Sequence, residues 1–147
     1  MNRYLLDASV VFAIALGEHA TLARLGRLEV AQVAIPALVW SEILAATGMS
    51  EADARRAENL ALIGQTIDIL PFDRAAAEIY GQMMRKLPLK RRRVLDRMTA
   101  AQALAHDLAL ATLTPRDFGD IAGLRVEDWA ATVSGYSTSS TFSGPPP

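Results

Sequence analysis

Arg3-Tyr4-Leu5-Leu6-Asp7, followed by Ala8-Ser9-Val10-Val11-Phe12, is the stretch on which the fold turns. A short apolar run that ends in an acid predicts a buried strand at residues 3–7, handing over directly to a helix. The rest of the chain extends that pattern. Val30–Ile35 is β-branched enough for a second strand, and Pro36 suits the first turn of a helix through about Ala46. Gly48 closes that helix, and Ser50 with Asp53 three residues on opens another as a variant capping box. Ile67–Leu70 predicts a third strand. Asp73 then caps a helix over Arg74–Leu87, which Pro88 breaks. An amphipathic helix from about Val94 to His106 leads to a fourth strand at Leu110–Thr114 and a short fifth at Leu124–Glu127. Strands alternating with helices imply parallel pairing through right-handed crossovers. The expected fold is therefore a three-layer α/β/α domain around a parallel sheet of four to five strands.

The bulk properties bound what such a domain can be. The chain has 147 residues, room for one domain, and its 51% hydrophobic content is ample for a packed core. From Thr132 the composition turns to Ser, Thr, Gly and Pro, so residues 1–131 read as the domain and 132–147 as a disordered tail. The absence of cysteine excludes disulfides, thiolate metal sites and a Cys nucleophile, and it fits a reducing cytoplasm. The apolar N-terminus carries Asp7 inside it, and the uncharged run Ala8–Gly17 falls far short of the ~18 residues a membrane span needs. A cytoplasmic protein with no membrane association is expected. Net charge is −1, but seven of the fifteen basic residues lie between Arg85 and Arg97: Arg85, Lys86, Lys90, Arg91, Arg92, Arg93 and Arg97. Asp96 is the only acid among them, which suggests a local polyanion site beside one carboxylate.

Open parallel sheets bind ligands outside the carboxyl ends of their strands, where the strand order reverses. Acids stand where that geometry would use them. Asp7 ends strand one, Asp117 lies just beyond strand four, Asp96 opens the helix leading into strand four, and Glu42 sits in the second turn of the helix after strand two. Four carboxylates brought together repel one another unless a divalent cation neutralises them. Oxygen ligands without His or Cys favour Mg²⁺ or Mn²⁺ over zinc. Each acid also has a plainer reading: Asp7 as a helix N-cap, Glu42 as a solvated helix residue, Asp96 as a charge complementing a helix N-terminus, Asp117 as a turn cap. Asp68, Asp73, Asp120 and Asp128 are assigned to turns and surface, His19 and His106 to surface or packing. Trp40, Trp129 and the Met83–Met84 pair are assigned to core or dimer contacts.

The stretch Leu5-Leu6-Asp7-Ala8-Ser9-Val10-Val11, with Trp40-Ser41-Glu42-Ile43-Leu44-Ala45-Ala46 and the segment from Leu95 to Phe118, resembles the PIN domain. Within that family it resembles the VapC toxins of bacterial toxin–antitoxin operons, and the ending Gly123–Trp129 fits as well. The resemblance covers about residues 3–129. It implies a Mg²⁺- or Mn²⁺-dependent endoribonuclease, an RNA substrate, a VapB-like antitoxin partner and a homodimer. Residue by residue, it makes Asp7, Glu42 and Asp96 the first three acids of a metal site, with Ser9 and Thr112 as supporting hydroxyls. Thr114 stands where family members often carry Asn, which leaves Asp117 as the fourth acid. Lys90, Arg91, Arg92, Arg93 and Arg97 become candidate RNA contacts, since a basic run directly before Asp96 suits phosphate.

Other classes fit less well. A phosphoacceptor receiver domain needs a Lys late in the chain, and the last one here is Lys90. A haloacid-dehalogenase-type phosphatase needs Asp-x-Asp, and Asp7-Ala8-Ser9 lacks the second acid. A non-catalytic PIN-like binding module is the remaining alternative.

Overall fold

Five short strands run parallel in the order β3-β2-β1-β4-β5: β1 (Tyr4–Leu6), β2 (Val33–Pro36), β3 (Asp68–Leu70), β4 (Ala109–Thr112) and β5 (Val126–Asp128). The computed structural model describes residues 3–46, 51–88 and 93–130. Six helices connect and cover the sheet: α1 (Ala8–Ala15), α2 (His19–Leu25), α3 (Ala37–Ala46), α4 (Glu51–Thr66), α5 (Arg74–Lys86) and α6 (Val94–Ala105).

Alternation along the strands divides the core in two. Leu6, Val33, Ile35 and Ala111 face one side, where Val10, Ile14, Val39, Ile43, Leu60 and Ile63 of α1, α3 and α4 pack on them. Leu5, Ala34 and Leu110 face the other side, against Ala100 and Ala103 of α6 and Phe118. Leu5, Leu6, Ala34, Ile35, Leu110 and Ala111 are all fully buried. A sheet covered on both faces explains why its strands are continuously apolar. Each such Leu or Ile contributes about 1.5–3 kcal/mol on burial.

Several boundaries differ from the sequence reading, each for a local reason. Residues 30–32 form a 3₁₀ turn instead of the start of β2, closed by reciprocal capping between Glu29 and Gln32. Pro36 ends β2 opposite Leu70 instead of starting the helix, and α3 begins one residue later. The expected helix after β1 is two helices bent by 107°, with Gly17 between them at φ +74, a conformation glycine adopts without penalty. The fifth strand begins at Val126, two residues beyond its expected start. The expected capping box falls on Ser50, and the tail on residues 132–147; both lie outside the described residues. Among the described residues no single helix is long and apolar enough to cross a membrane.

Candidate active site

β1 and β4 are neighbours at the centre of the sheet, and the chain leaves β1 toward β2 on its other side. The order therefore reverses between β1 and β4, and the crevice at their carboxyl ends is the natural ligand position. Asp7 follows β1 directly and is 5% exposed. It is the N-cap of α1, accepting from Val10 N at 3.1 Å. That use leaves its carboxylate aimed across the crevice, where two hydroxyls hold it. Ser9 Oγ donates to Oδ1 and Thr112 Oγ1 to Oδ2, both at 2.5 Å. Thr112 is fully buried at the end of β4. The hydroxyls are themselves fixed, since Leu113 N donates to Ser9 Oγ and Thr114 N to Thr112 Oγ1, each at 3.0 Å. The capping and site readings of Asp7 are thus one geometry: the amides and hydroxyls that start the helix also orient the acid. Thr114 is exposed and reaches this network through its hydroxyl, 3.3 Å from that of Thr112.

Asp96 lies in the first turn of α6, half-buried. Burial pushes its pKa above the usual carboxylate range; Arg93 opposes that shift, and the charges of Asp7 and Asp117 add to it. Those two influences place Asp7 and Asp117 each within electrostatic reach of Asp96. Asp117 sits in the 3₁₀ turn Pro115–Phe118 after β4, equally half-buried. Arg93 joins the last two: its Nη1 is 2.7 Å from Asp117 Oδ2 and 3.6 Å from Asp96 Oδ2.

Glu42 behaves differently. It is exposed on α3. Its helix packs against both α1 and α6, so the backbone lies beside the crevice while the carboxylate points to solvent. Among the described residues, no three acid or histidine side chains stand close enough to hold one ion as they are. Asp7, Asp96 and Asp117 gather, and Glu42 does not join them in this conformation.

The basic run divides in the same way. Lys90, Arg91 and Arg92 lie outside the described residues. Arg93 is exposed and engaged with the acids. Arg97 corrects its assignment as an RNA contact. Its side chain is 3% exposed and grips Asp120 through two bonds, Nη1 to Oδ1 at 2.7 Å and Nη2 to Oδ2 at 3.1 Å. Its partner Asp120 lies in a turn at the surface, as expected, and there accepts from the buried cation. Arg97 follows Asp96 by one residue, and on a helix that step turns a side chain to a different face.

The remaining assignments resolve simply. Asp73 caps α5 by accepting from Ala76 N and pairs with His106 Nε2 at 2.8 Å. His19 is exposed. Trp129 is buried in the first core cluster, Trp40 packs against that cluster, and Met83 packs against the second.

A sequence profile of the PIN domain matches residues 4–124. The chain belongs to the PIN-domain family. A curated relative, the tRNA(fMet)-specific endonuclease VapC of Shigella flexneri, is 29% identical over 135 residues, covering 88% of this chain and all of that protein. Among solved structures, the DNA-bound VapBC of Salmonella typhimurium matches with a TM-score of 0.77 at 26% identity, over 88% of this chain and 99% of that one. VapBC2 of Rickettsia felis, bound to a promoter DNA fragment, matches at 0.75 and 23% identity, over 86% and 98%, a likeness of fold. This PIN domain carries its gathered acids at the carboxyl ends of β1 and β4 and at the start of α6.

Proposed function

We propose that this PIN domain is a metal-dependent endoribonuclease, the toxin of a type II toxin–antitoxin pair. The observation that carries the reading is the Asp7 carboxylate: buried, held by Ser9, Thr112 and the Val10 amide, and near enough to Asp96 for its charge to act there. A structural cap needs only the amide. The hydroxyls fix the acid's direction, as a ligand requires.

The donor set suits Mg²⁺ or Mn²⁺, being oxygen-only and anionic. A cation already bridges two of the acids, the Arg93 guanidinium, which marks where positive charge is stabilised. Asp7, Asp96 and Asp117 would hold the ion once their side chains close on it and Arg93 gives way, and a rotamer change would bring in Glu42. A bound divalent ion supplies a lowered water pKa and neutralises charge on a phosphodiester. The chain's own residues do the rest. Ser9 and Thr112 hold Asp7 in line, and Arg93, displaced from Asp117, binds a phosphate of the RNA together with Lys90, Arg91 and Arg92.

The VapC-like relative acts on a tRNA and the VapBC neighbours are toxin–antitoxin complexes, which supports an RNA substrate and a VapB-like antitoxin for this chain. A homodimer is part of the same proposal. Expression of the wild type alone in a bacterial host should arrest growth, while Asp7→Asn should not. Equal growth of both strains, with equal protein levels, contradicts a toxin acting through this site.

A further inference from the structure

Arg97 and Asp120 form a two-bonded pair buried almost completely on the arginine side, and the catalytic reading above makes no use of it. Their positions in the chain give the pair its significance. Arg97 is next to Asp96 in the first turn of α6, and Asp120 is three residues beyond Asp117, just after the 3₁₀ turn that carries it. Asp96 and Asp117 belong to separate elements, 21 positions apart by their numbers. α6 and that turn pack against each other, and the pair crosses their contact.

We infer that the Arg97–Asp120 pair is a positioning clamp that sets the separation of Asp96 from Asp117 across the metal crevice. Two acids that repel each other drift apart unless something rigid holds their elements together. Arg93 is a poor candidate for that task, because its side chain is exposed and its bridge would give way to a bound cation. The guanidinium of Arg97 is planar and doubly bonded, so it fixes orientation as well as distance. The Asp120 side chain is 21% exposed and engaged by Arg97, and neither clamp residue is proposed as a ligand. The clamp acts through Asp96 and Asp117, and so rests on the metal reading of those acids.

The test is Mn²⁺ affinity, followed by electron paramagnetic resonance on full-length protein, with near-ultraviolet circular dichroism as the check of folding. Arg97→Lys keeps the charge and loses the two-bonded geometry. Asp120→Asn keeps the shape and loses the charge. Arg97→Gln combined with Asp120→Asn removes both charges of the pair together, so neither is left buried without the other. Each folded variant should bind Mn²⁺ about tenfold more weakly, the scale for residues that orient a ligand. The double variant should be no weaker than the singles, since one clamp is lost once. Folded variants with wild-type Mn²⁺ affinity overturn the clamp. Asp96→Asn is the control that separates the two claims: if it binds Mn²⁺ as tightly as the wild type, the metal reading fails and takes the clamp with it.

Discussion

At the scale of single residues, the site sets opposing demands on Asp96. The folded protein holds a proton on this acid more tightly than the unfolded chain does, first because of burial and then because Asp7 and Asp117 are near. A raised carboxyl pKa means that its contribution to stability is greatest in acid. That contribution is lost as pH rises through the unfolded and then the folded pKa, so at neutral pH the ionised group is a net cost to the fold. Asp96→Asn should therefore raise the melting temperature in neutral, metal-free buffer, by an amount on the order of 0.5 kcal/mol in stability. The gain should vanish in acid, where the native side chain is itself neutral. Calorimetry at the two pH values checks this, and a lower melting temperature for Asp96→Asn at neutral pH contradicts it. If Asp96 is a ligand as proposed, the same substitution should weaken metal binding, the expected trade between stability and function.

At the scale of elements, the acids work because helices and strands end where they do. Asp7 is a ligand candidate only because β1 stops at Leu6 and α1 starts at Ala8. That boundary was legible in the sequence, because a short apolar run meeting an acid has few other readings. The parallel order, the helical coverage of both faces and the places of Asp7, Asp96 and Asp117 were legible for the same reason. The fate of Arg97 was not. A charge run in sequence does not reveal which of its members turns inward, and the partner that draws Arg97 in lies 23 positions away at Asp120. Pro36 misled because proline serves the end of a strand as readily as the start of a helix. The direction of Glu42 was equally hidden, since neighbouring apolar residues fix the helix face but not a long side chain's rotamer. The contact that seats α3 was also invisible: a Cβ on Gly64 of α4 would lie 2.6 Å from Cζ2 of Trp40. Overpacking against the Trp40 ring costs about 1–3 kcal/mol and alanine gains roughly 1 kcal/mol over glycine in a helix, so Gly64→Ala should lower stability by up to about 2 kcal/mol. Urea denaturation checks it, and an unchanged or higher midpoint means that Trp40 shifts freely.

At the scale of the whole molecule, the sheet concentrates the chemistry at one end. The carboxyl ends of β1 and β4, the start of α6 and the turn after β4 bring acids together that the chain separates by about a hundred positions, the distance in sequence from Asp7 to Asp96 and Asp117. Arg93 adds positive charge at the same edge, paired with Asp117 beside the crevice. A domain arranged in this way should cut RNA with a divalent ion and no side-chain nucleophile, which suits a chain without cysteine. The most direct test is cleavage of single-stranded RNA by the purified protein with Mg²⁺ or Mn²⁺, with excess EDTA, and by Asp7→Asn with the metal restored. A carboxylate-held metal mechanism predicts cleavage with the metal, none in EDTA, and a rate for Asp7→Asn lower by about a hundredfold or more, because the ion is poorly held. Undiminished cleavage in EDTA, or a wild-type rate for Asp7→Asn, would contradict it.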